Sequence, residues 1–268
     1  MPCFLCATCG TQFAESPRPP SACPVCEDDR QYVGWSGQHW TTHAELAGSH
    51  GLRLEDDAGL LGIGLAPSFA INQRALHVPA AGAHVLWECV SLVTDEAVVA
   101  LKARGGVDVI AISHPHFYAA MVEWSEALGG VPVLLHEADR AWVRRACDRI
   151  EFWRGETLAL SAEASLHRLG GHFPGSTALH WTRGARGGGA LLPGDALQVA
   201  SDRRHVSFMY SYPNLIPLAP AEVERQRRAV AGLAFEDVHG FTWGRNIVGG
   251  GRAAVDVSFE RYLRAVAP

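Results

Sequence analysis

The chain has 268 residues, 48% of them hydrophobic, which is enough for one large folded domain and a small appendage. A charged fraction of 19% excludes a disordered chain, and a formal net charge of −5 argues against a nucleic-acid partner. The sequence has no apolar run long enough to span a bilayer and no secretory signal in its first ten residues. We therefore expect a reduced, cytoplasmic protein without membrane or nucleic-acid partners.

The first segment, residues 1–37, contains two CxxC pairs in a stretch too short to bury a core of its own. Its four predicted metal ligands are Cys6, Cys9, Cys23 and Cys26. Two residues between thiols let one turn present both sulfurs to an ion, and two such turns complete a tetrahedral site. Gly10 allows the backbone to fold back toward the metal, which favours the Cys6/Cys9 pair, although Cys3 has the same spacing from Cys6.

The motifs CxxCG, Pro19-Pro20 and CPxC resemble the rubredoxin-like module of rubrerythrins, a zinc-ribbon type of metal knuckle. The resemblance covers about the first tenth of the chain. Four thiolates suit either zinc or iron, and the sequence leaves this choice open. Zinc is the simpler expectation if the module is purely structural.

The second predicted domain, residues 38–268, has the composition of an ordinary globular protein, and strands and helices alternate along it. The predicted strands are 60–65, 69–78, 84–93, 107–112, 131–135, 158–160, 166–169, 177–181 and 190–192. The predicted helices are 96–103, 117–128, 137–147, 220–232 and 259–265. Strand meanders with interleaved helices indicate sheets that pack together and are flanked by helices.

Histidines and an aspartate follow several of the predicted apolar segments. The strand 107–112 runs into Ser113-His114-Pro115-His116, and a second cluster, GGHFPGS, contains His172. The apolar segment Leu191-Leu192 leads through Pro193-Gly194 to Asp195, and His239 precedes a glycine. A single histidine is more often a surface or core group than a metal ligand, but here four such clusters follow one another in a defined order.

This order of motifs, strand–HxH, GGHxPGS, strand–GD and HG, resembles the metallo-β-lactamase superfamily over about residues 50–250. The resemblance implies an α/β (α+β) fold, a four-layer αββα sandwich with a metal site at one edge. It also implies that the first metal is held by His114, His116 and His172. Asp195 would be the bridging aspartate and His239 the last histidine ligand, while Glu88 lies where the family usually carries a structural aspartate.

The chain departs from the family in its first motif, which is HxHxDH in the superfamily. Tyr118 stands where the aspartate should be, and Ala119 stands where the last histidine should be. Of the residues implied for the second metal, His239 remains, so we expect that second site to be weak or absent. Asp195 would then be a fourth ligand of the first metal, expected to be zinc, or an acceptor beside it.

The resemblance implies a metal-dependent hydrolase with one metal, acting on an ester, thioester or lactone through a metal-activated water. In this interpretation Asp195 orients or deprotonates the water. The hydroxyl of Tyr118 donates to a developing oxyanion, and His239 is a general acid for the leaving group. The expected partner is a small-molecule substrate.

Two other functions remain open. The broken first motif favours a catalytically weak or inactive metallo-β-lactamase-like scaffold that binds a ligand or partner. A redox protein of the flavodiiron kind ranks last, because HPHFY lacks the carboxylates of a di-iron site. The apolar segment 206–218 is equally consistent with a wall of a substrate pocket and with a core or homo-oligomer contact.

Overall fold

The computed structural model describes residues 1–267, and its N-terminal module is built on a three-stranded antiparallel sheet of order β2-β1-β3. The module's elements are β1 (Cys3–Cys6), β2 (Gln12–Glu15), helix α1 (Pro24–Glu27) and β3 (Trp40–Thr42). Helix α2 (His43–Ser49) follows at once, and a reciprocal capping box between Thr42 and Glu45 fixes its first turn. The chain therefore completes the module's sheet before it enters the large domain.

The first large sheet has seven strands in the order β10-β9-β8-β7-β6-β5-β4. Its strands are β4 (Gly51–Asp57), β5 (Leu60–Ala66), β6 (Ala75–Ala80), β7 (Ala83–Trp87), β8 (Val109–Ala111), β9 (Val133–His136) and β10 (Ile150–Trp153). Strands β4 to β7 form an antiparallel meander, and β7 to β10 are parallel. Helices α3 (Asp95–Lys102) and α4 (Met121–Ala127) lie in the connections between parallel strands, as such pairing requires.

The second large sheet has six strands in the order β11-β12-β13-β14-β19-β20. Its strands are β11 (Thr157–Ala159), β12 (Ala164–Arg168), β13 (Thr177–Trp181), β14 (Ala190–Leu192), β19 (Asp237–His239) and β20 (Asn246–Val248). Between β14 and β19 the chain forms two small ribbons, β15 (Gln198–Val199) with β16 (Val206–Ser207) and β17 (Met209–Ser211) with β18 (Ile216–Pro217), and then helix α5 (Pro220–Val230). Helix α6 (Gly251–Ala265) ends the fold.

Strand β8 shows how the layers are held together. Ile110 packs in the apolar cluster between the first sheet and helices α3 and α4, whereas Val109 and Ala111 pack in the cluster between the two sheets. A third cluster joins the second sheet to α5 and α6 through residues such as Val223 and Phe259. Three apolar interfaces separate four layers, so the αββα metallo-β-lactamase sandwich expected from the sequence is confirmed.

Several predicted elements differ in extent from the structure. The strand predicted at 84–93 ends at Trp87, because Glu88 has a φ of +70°, and the helix predicted at 259–265 begins at Gly251. The strand predicted at 69–78 begins at Ala75, because Ala70 and Asn72 adopt positive φ angles of 50° and 58°, which strands do not tolerate. The helix predicted at 137–147 is a short 3₁₀ segment, Glu137–Trp142, after which Val143 is extended. Strands β4, β10, β19 and β20 were not predicted, nor were the short strands β15 to β18, whose two or three residues carry no periodicity.

No helix within residues 1–267 combines the length and the apolar character needed to cross a bilayer.

Candidate metal centres

The four thiols predicted to bind a metal meet in the N-terminal module. The Sγ atoms of Cys6 and Cys26 are 3.5 Å apart, and those of Cys9 and Cys23 are 3.7 Å apart. A tetrahedral ion with metal–sulfur bonds of about 2.3 Å separates its ligand atoms by roughly 3.8 Å. The four buried thiols therefore fit a tetrahedral zinc or iron ion, and Cys3 lies outside the group.

The turn after Cys9 needs its glycine. Gly10 has a φ of +79°, and its N–H donates to the carbonyl of Cys6 over 2.8 Å. A Cβ at this position would lie 2.8 Å from both Gln73 Nε2 and Ser91 Oγ. The glycine thus adopts the positive φ that the turn after Cys9 requires, and its missing side chain lets the large domain pack closely against that turn.

The histidine site is assembled from three connections at one edge of the sheets. His114 and His116 lie where β8 passes into the 3₁₀ turn Pro115–Phe117, His172 lies between β12 and β13, and Asp195 follows β14. One ligand atom from each of these four residues lies within 4.8 Å of the other three, and all four side chains are buried. The structure therefore brings together the implied ligands of the first metal.

The distances within this cluster suit a small ion. Nε2 of His114 is 3.6 Å and Nε2 of His172 is 3.9 Å from Oδ2 of Asp195. Nε2 of His172 and Nδ1 of His116 are 3.3 Å apart. A tetrahedral ion with bonds of about 2.0–2.1 Å separates its ligands by roughly 3.4 Å. In the part of the chain that the structure describes, Nε2 of His114, Nε2 of His116 and Oδ1 of Asp195 have no hydrogen-bond partner, which is unusual for buried polar atoms and consistent with a metal site.

Neighbouring groups orient the imidazoles and keep them neutral. Nδ1 of His172 donates to the Tyr210 carbonyl over 2.8 Å, which leaves Nε2 free, and Nδ1 of His114 lies 2.7 Å from Ser113 Oγ. Burial lowers the pKa of His172 to about 3, and it holds the pKa of His116 well below its usual value. Neutral imidazole is the form that binds a metal.

Glu88 lies behind the site and joins two of its connections. It has a φ of +70°, and its Oε2 accepts the Ser113 N–H over 3.0 Å. Burial raises the pKa of Glu88 to about 8. Gly194, with a φ of +53°, packs on the same serine, since a Cβ there would lie 2.4 Å from Ser113 Oγ. The backbone before His114 and the backbone before Asp195 are thereby packed against each other.

Tyr118 lies in the core, 3% exposed. Its hydroxyl is 3.5 Å from the carbonyl oxygen of Asp139, and Tyr118 is absent from the residues that line the cavity above the histidine site. Its predicted contact with an oxyanion stays a prediction, and this placement does not support it.

His239 ends strand β19 outside the four-ligand cluster. Within residues 1–267 neither ring nitrogen has a hydrogen-bond partner, and burial together with the positive charge of Arg74 lowers the pKa of His239 to about 4. The Arg74 guanidinium itself is buried and bonded to Asp57 and to the carbonyl of Gly240. The predicted role of His239 as a general acid stays a prediction, although so low a pKa leaves it neutral at pH 7.

A cavity of about 140 Å³ opens above the histidine site. It is lined by Arg30, Gln31, Tyr32, Ile71, His116, His172, Asp195, Gln198, Tyr212, Pro213 and Phe241. A larger cavity of about 630 Å³ lies on the other side of Arg30, but none of the four ligands lines it, and its Arg225 is already bonded to Glu222. The smaller cavity is thus the one that adjoins the ligand cluster. Tyr212 and Pro213 of segment 206–218 line it, whereas Val206, Phe208 and Leu218 of the same segment pack in the core.

Sequence reasoning missed two features of this site. Gln73 donates from one amide nitrogen to the carbonyls of Cys9, over 2.7 Å, and of His116, over 3.0 Å, and so links the two centres. Residues 30–32 reach the pocket from the cysteine module. No local motif marks either feature, because each depends on contacts between distant parts of the chain.

Comparison with known proteins places the chain in a family. No family model matches it. The chain is 40% identical over 269 residues to the uncharacterized protein YmaE of Bacillus subtilis (strain 168), which covers 99% of this chain and 97% of YmaE. The chain belongs to the YmaE family. Because nearly the whole of both chains is matched, the YmaE relationship includes the cysteine module as well as the large domain.

Solved structures similar to this YmaE-family chain show its fold. VMB-1 matches with a TM-score of 0.55 at 12% identity, covering 81% of this chain and 98% of that chain. DIM-1 metallo-β-lactamase matches with a TM-score of 0.55 at 11% identity, covering 80% and 95%. A β-lactamase from Chitinophaga pinensis matches with a TM-score of 0.50 at 11% identity, covering 79% and 91%. The chain therefore has the metallo-β-lactamase fold, preceded by a four-cysteine knuckle.

Proposed function

We propose that this protein is a metal-dependent hydrolase that cleaves a small ester, thioester or lactone. One metal, for which zinc is our choice, would be held by His114, His116 and His172 with Asp195. The observation that carries the proposal is the buried four-ligand cluster at the floor of a cavity, in which Nε2 of His114 faces Oδ2 of Asp195 across 3.6 Å and has no hydrogen-bond partner among the described residues.

A divalent ion bound here supplies a Lewis acid that lowers the pKa of water and polarises a carbonyl. The chain's own contribution is to hold and move a proton. Asp195 has one carboxylate oxygen, Oδ1, without a partner, and it lies at the cavity wall, where it can accept the proton of an attacking water. The three imidazoles would give their lone pairs to the metal, so the unpaired oxygen of Asp195 is the group left to accept the proton.

The leaving group follows from the protonation states. With a pKa of about 4, His239 does not carry the extra proton that a histidine general acid would give away at pH 7. Leaving groups that depart as stable anions, such as thiolates and phenolates, need no such acid. Thioesters and aryl esters are therefore the preferred substrates of the proposal.

We further propose that a single metal binds at the histidine site, since Tyr118 and Ala119 replace two family ligands and His239 lies outside the cluster. An anomalous-scattering map of zinc-loaded crystals should show one strong peak among His114, His116 and His172. Two comparable peaks roughly 3.5–4 Å apart would contradict the mononuclear site.

The second candidate is a non-catalytic scaffold, and it is favoured because His239, the one residue left of the implied second site, lies outside the four-ligand cluster. One experiment separates the two functions. Zinc-loaded protein is assayed with aryl esters, thioesters and lactones beside His116→Ala, which should lose at least about a hundredfold in turnover. The control is His205→Ala, a surface histidine paired with Asp202, which should keep full turnover and metal content. A fully metal-loaded protein that turns over none of these substrates would contradict the hydrolase and support the non-catalytic scaffold.

A further inference from the structure

The cavity above the histidine site is walled in part by the cysteine module. Residues 30–32 line it together with Ile71, Pro213 and Phe241 of the large domain. Tyr32 is 45% exposed and lies at the rim, whereas Gln31 is buried. Two parts of the chain that are separate in sequence thus enclose one pocket.

Arg30 fixes the module's segment against the site. Its Nε and one terminal nitrogen donate to Asp28 over 2.5 and 2.8 Å, and the other donates to the His172 carbonyl over 3.3 Å. The guanidinium also lies 3.9 Å from the centre of the Phe173 ring. Arg30 therefore holds the pocket wall in place. Because its guanidinium is paired with Asp28 and the residue is 8% exposed, its charge is not available to bind an acidic substrate.

Asn214 holds the same segment from the other side. Its amide nitrogen donates to the carbonyls of Asp29, over 2.8 Å, and of Gln31, over 2.9 Å. Asn214 follows Pro213, which lines the cavity, and its own side chain is not among the lining groups. This side chain therefore positions the module's wall without contacting the contents of the pocket.

The volume of the pocket limits what it accepts. About 140 Å³ is well below the roughly 300–1,000 Å³ of pockets for drug-sized ligands. The apolar side chains around it, Ile71, Phe241 and the ring of Tyr32, suit a hydrocarbon chain.

We propose that the cysteine module determines the substrate specificity of the histidine site, with Tyr32 as the residue that limits acyl-chain length. The preferred acyl group is short, uncharged and apolar. This inference rests on the proposed function for the identity of the ligand as an acyl group, and it adds the size and polarity of that group.

The test is calorimetric binding of acetate, butyrate and octanoate, which are acyl products, to the full-length zinc-loaded protein. Wild type should bind butyrate at least about tenfold more tightly than octanoate. Tyr32→Ala should remove most of that preference by tightening octanoate about tenfold, the gain expected from burying one or two further methylenes. Asn214→Ala should shift the preference in the same direction, and Val33→Ala, an exposed neighbour outside the pocket, should leave it unchanged.

The proposal is overturned if none of the acids binds, if octanoate binds wild type as well as butyrate does, or if Tyr32→Ala leaves the ratio unaltered. Parallel assays with aryl acetate, butyrate and octanoate keep the two proposals apart. Turnover with a chain-length profile that Tyr32→Ala does not alter contradicts the specificity role alone. Size-selective binding that depends on Tyr32, without turnover of any ester, supports the pocket wall and contradicts the hydrolase.

Discussion

At the scale of single residues, Gln73 is the group that connects the two centres. Its amide nitrogen donates to the carbonyl of Cys9 in the sulfur turn and to that of His116 in the histidine site. The side chain is buried, so water cannot replace it. One side chain therefore satisfies two carbonyls that would otherwise be left without donors.

We expect the free energy of unfolding to be highest for wild type, lower for Gln73→Ala and lowest for Gln73→Glu. Alanine removes the donor and costs about 1–3 kcal/mol for the unsatisfied buried carbonyls, and glutamate adds a carboxylate oxygen that faces them. Urea unfolding of the zinc-loaded protein measures the order. A Gln73→Glu variant as stable as wild type would show that the amide donates to neither carbonyl.

Asp139 gives the folded protein a defined pH dependence. Burial raises its pKa to about 6, above the ordinary value of 3.8, while the N–H of Gly175 donates to it over 2.8 Å. The folded state therefore binds more protons than the unfolded state between about pH 4 and 6, so this group's contribution to stability falls as pH rises through that window.

Asp139→Asn lacks this titration. We expect its free energy of unfolding, relative to wild type, to rise by about 1–3 kcal/mol between pH 4 and pH 7. Urea unfolding of both proteins at matched pH values cancels the common effect of metal loss from the histidines. A difference that stays constant across the window would mean that Asp139 is already ionised at pH 4.

At the scale of elements, the ends of β8 and β14 were the predictable part of the site. The apolar run ending at Ile112 and the motif before Asp195 placed ligands at strand ends, where neighbouring connections meet. The contribution of Gln73 could not be predicted, because its two acceptors are 64 and 43 residues away in sequence. The same applies to Tyr118, whose neighbours depend on how the 3₁₀ turn packs rather than on the motif.

Gly194 tests how the β14 connection is built. Gly194→Ala combines a φ of +53° with a Cβ placed 2.4 Å from Ser113 Oγ, so we expect Asp195 to shift and zinc affinity at the histidine site to fall about tenfold or more. Gly187→Ala is the matched control, since Gly187 also has a positive φ, of 89°, but faces open space. Equal zinc affinities in competition titrations of the two variants would exclude the steric explanation.

At the scale of the whole molecule, the cysteine module and the large domain share contacts that no local pattern encodes. The bonds from Arg30 to His172 and from Asn214 to Asp29 join residues 142 and 185 positions apart. The paired cysteines predicted the module, and the resemblance of the histidine and aspartate motifs to the metallo-β-lactamase superfamily implied the αββα sandwich. The sequence could not predict that the module forms part of the pocket, because docking depends on the finished surfaces of both.

The metal of the module should stabilise the whole protein. Cys9→Ser should lose one equivalent of metal and lower the melting temperature, because a short segment held by four ligands has little core of its own. Cys147→Ser, a half-buried thiol outside both clusters, is the control and should change neither quantity. Metal analysis and calorimetry measure both effects, and a Cys9→Ser protein with full metal content and unchanged melting would show that the module is not held by metal.

The burial of the thiol cluster has a kinetic consequence. Cys6, Cys9 and Cys23 are 0% exposed and Cys26 is 2% exposed, so an alkylating reagent reaches them after the module opens. Their labelling half-life therefore measures how often the wall of the pocket detaches. Cys147 is partly open to solvent, so it reacts without any opening of the module, and its labelling rate is the internal reference.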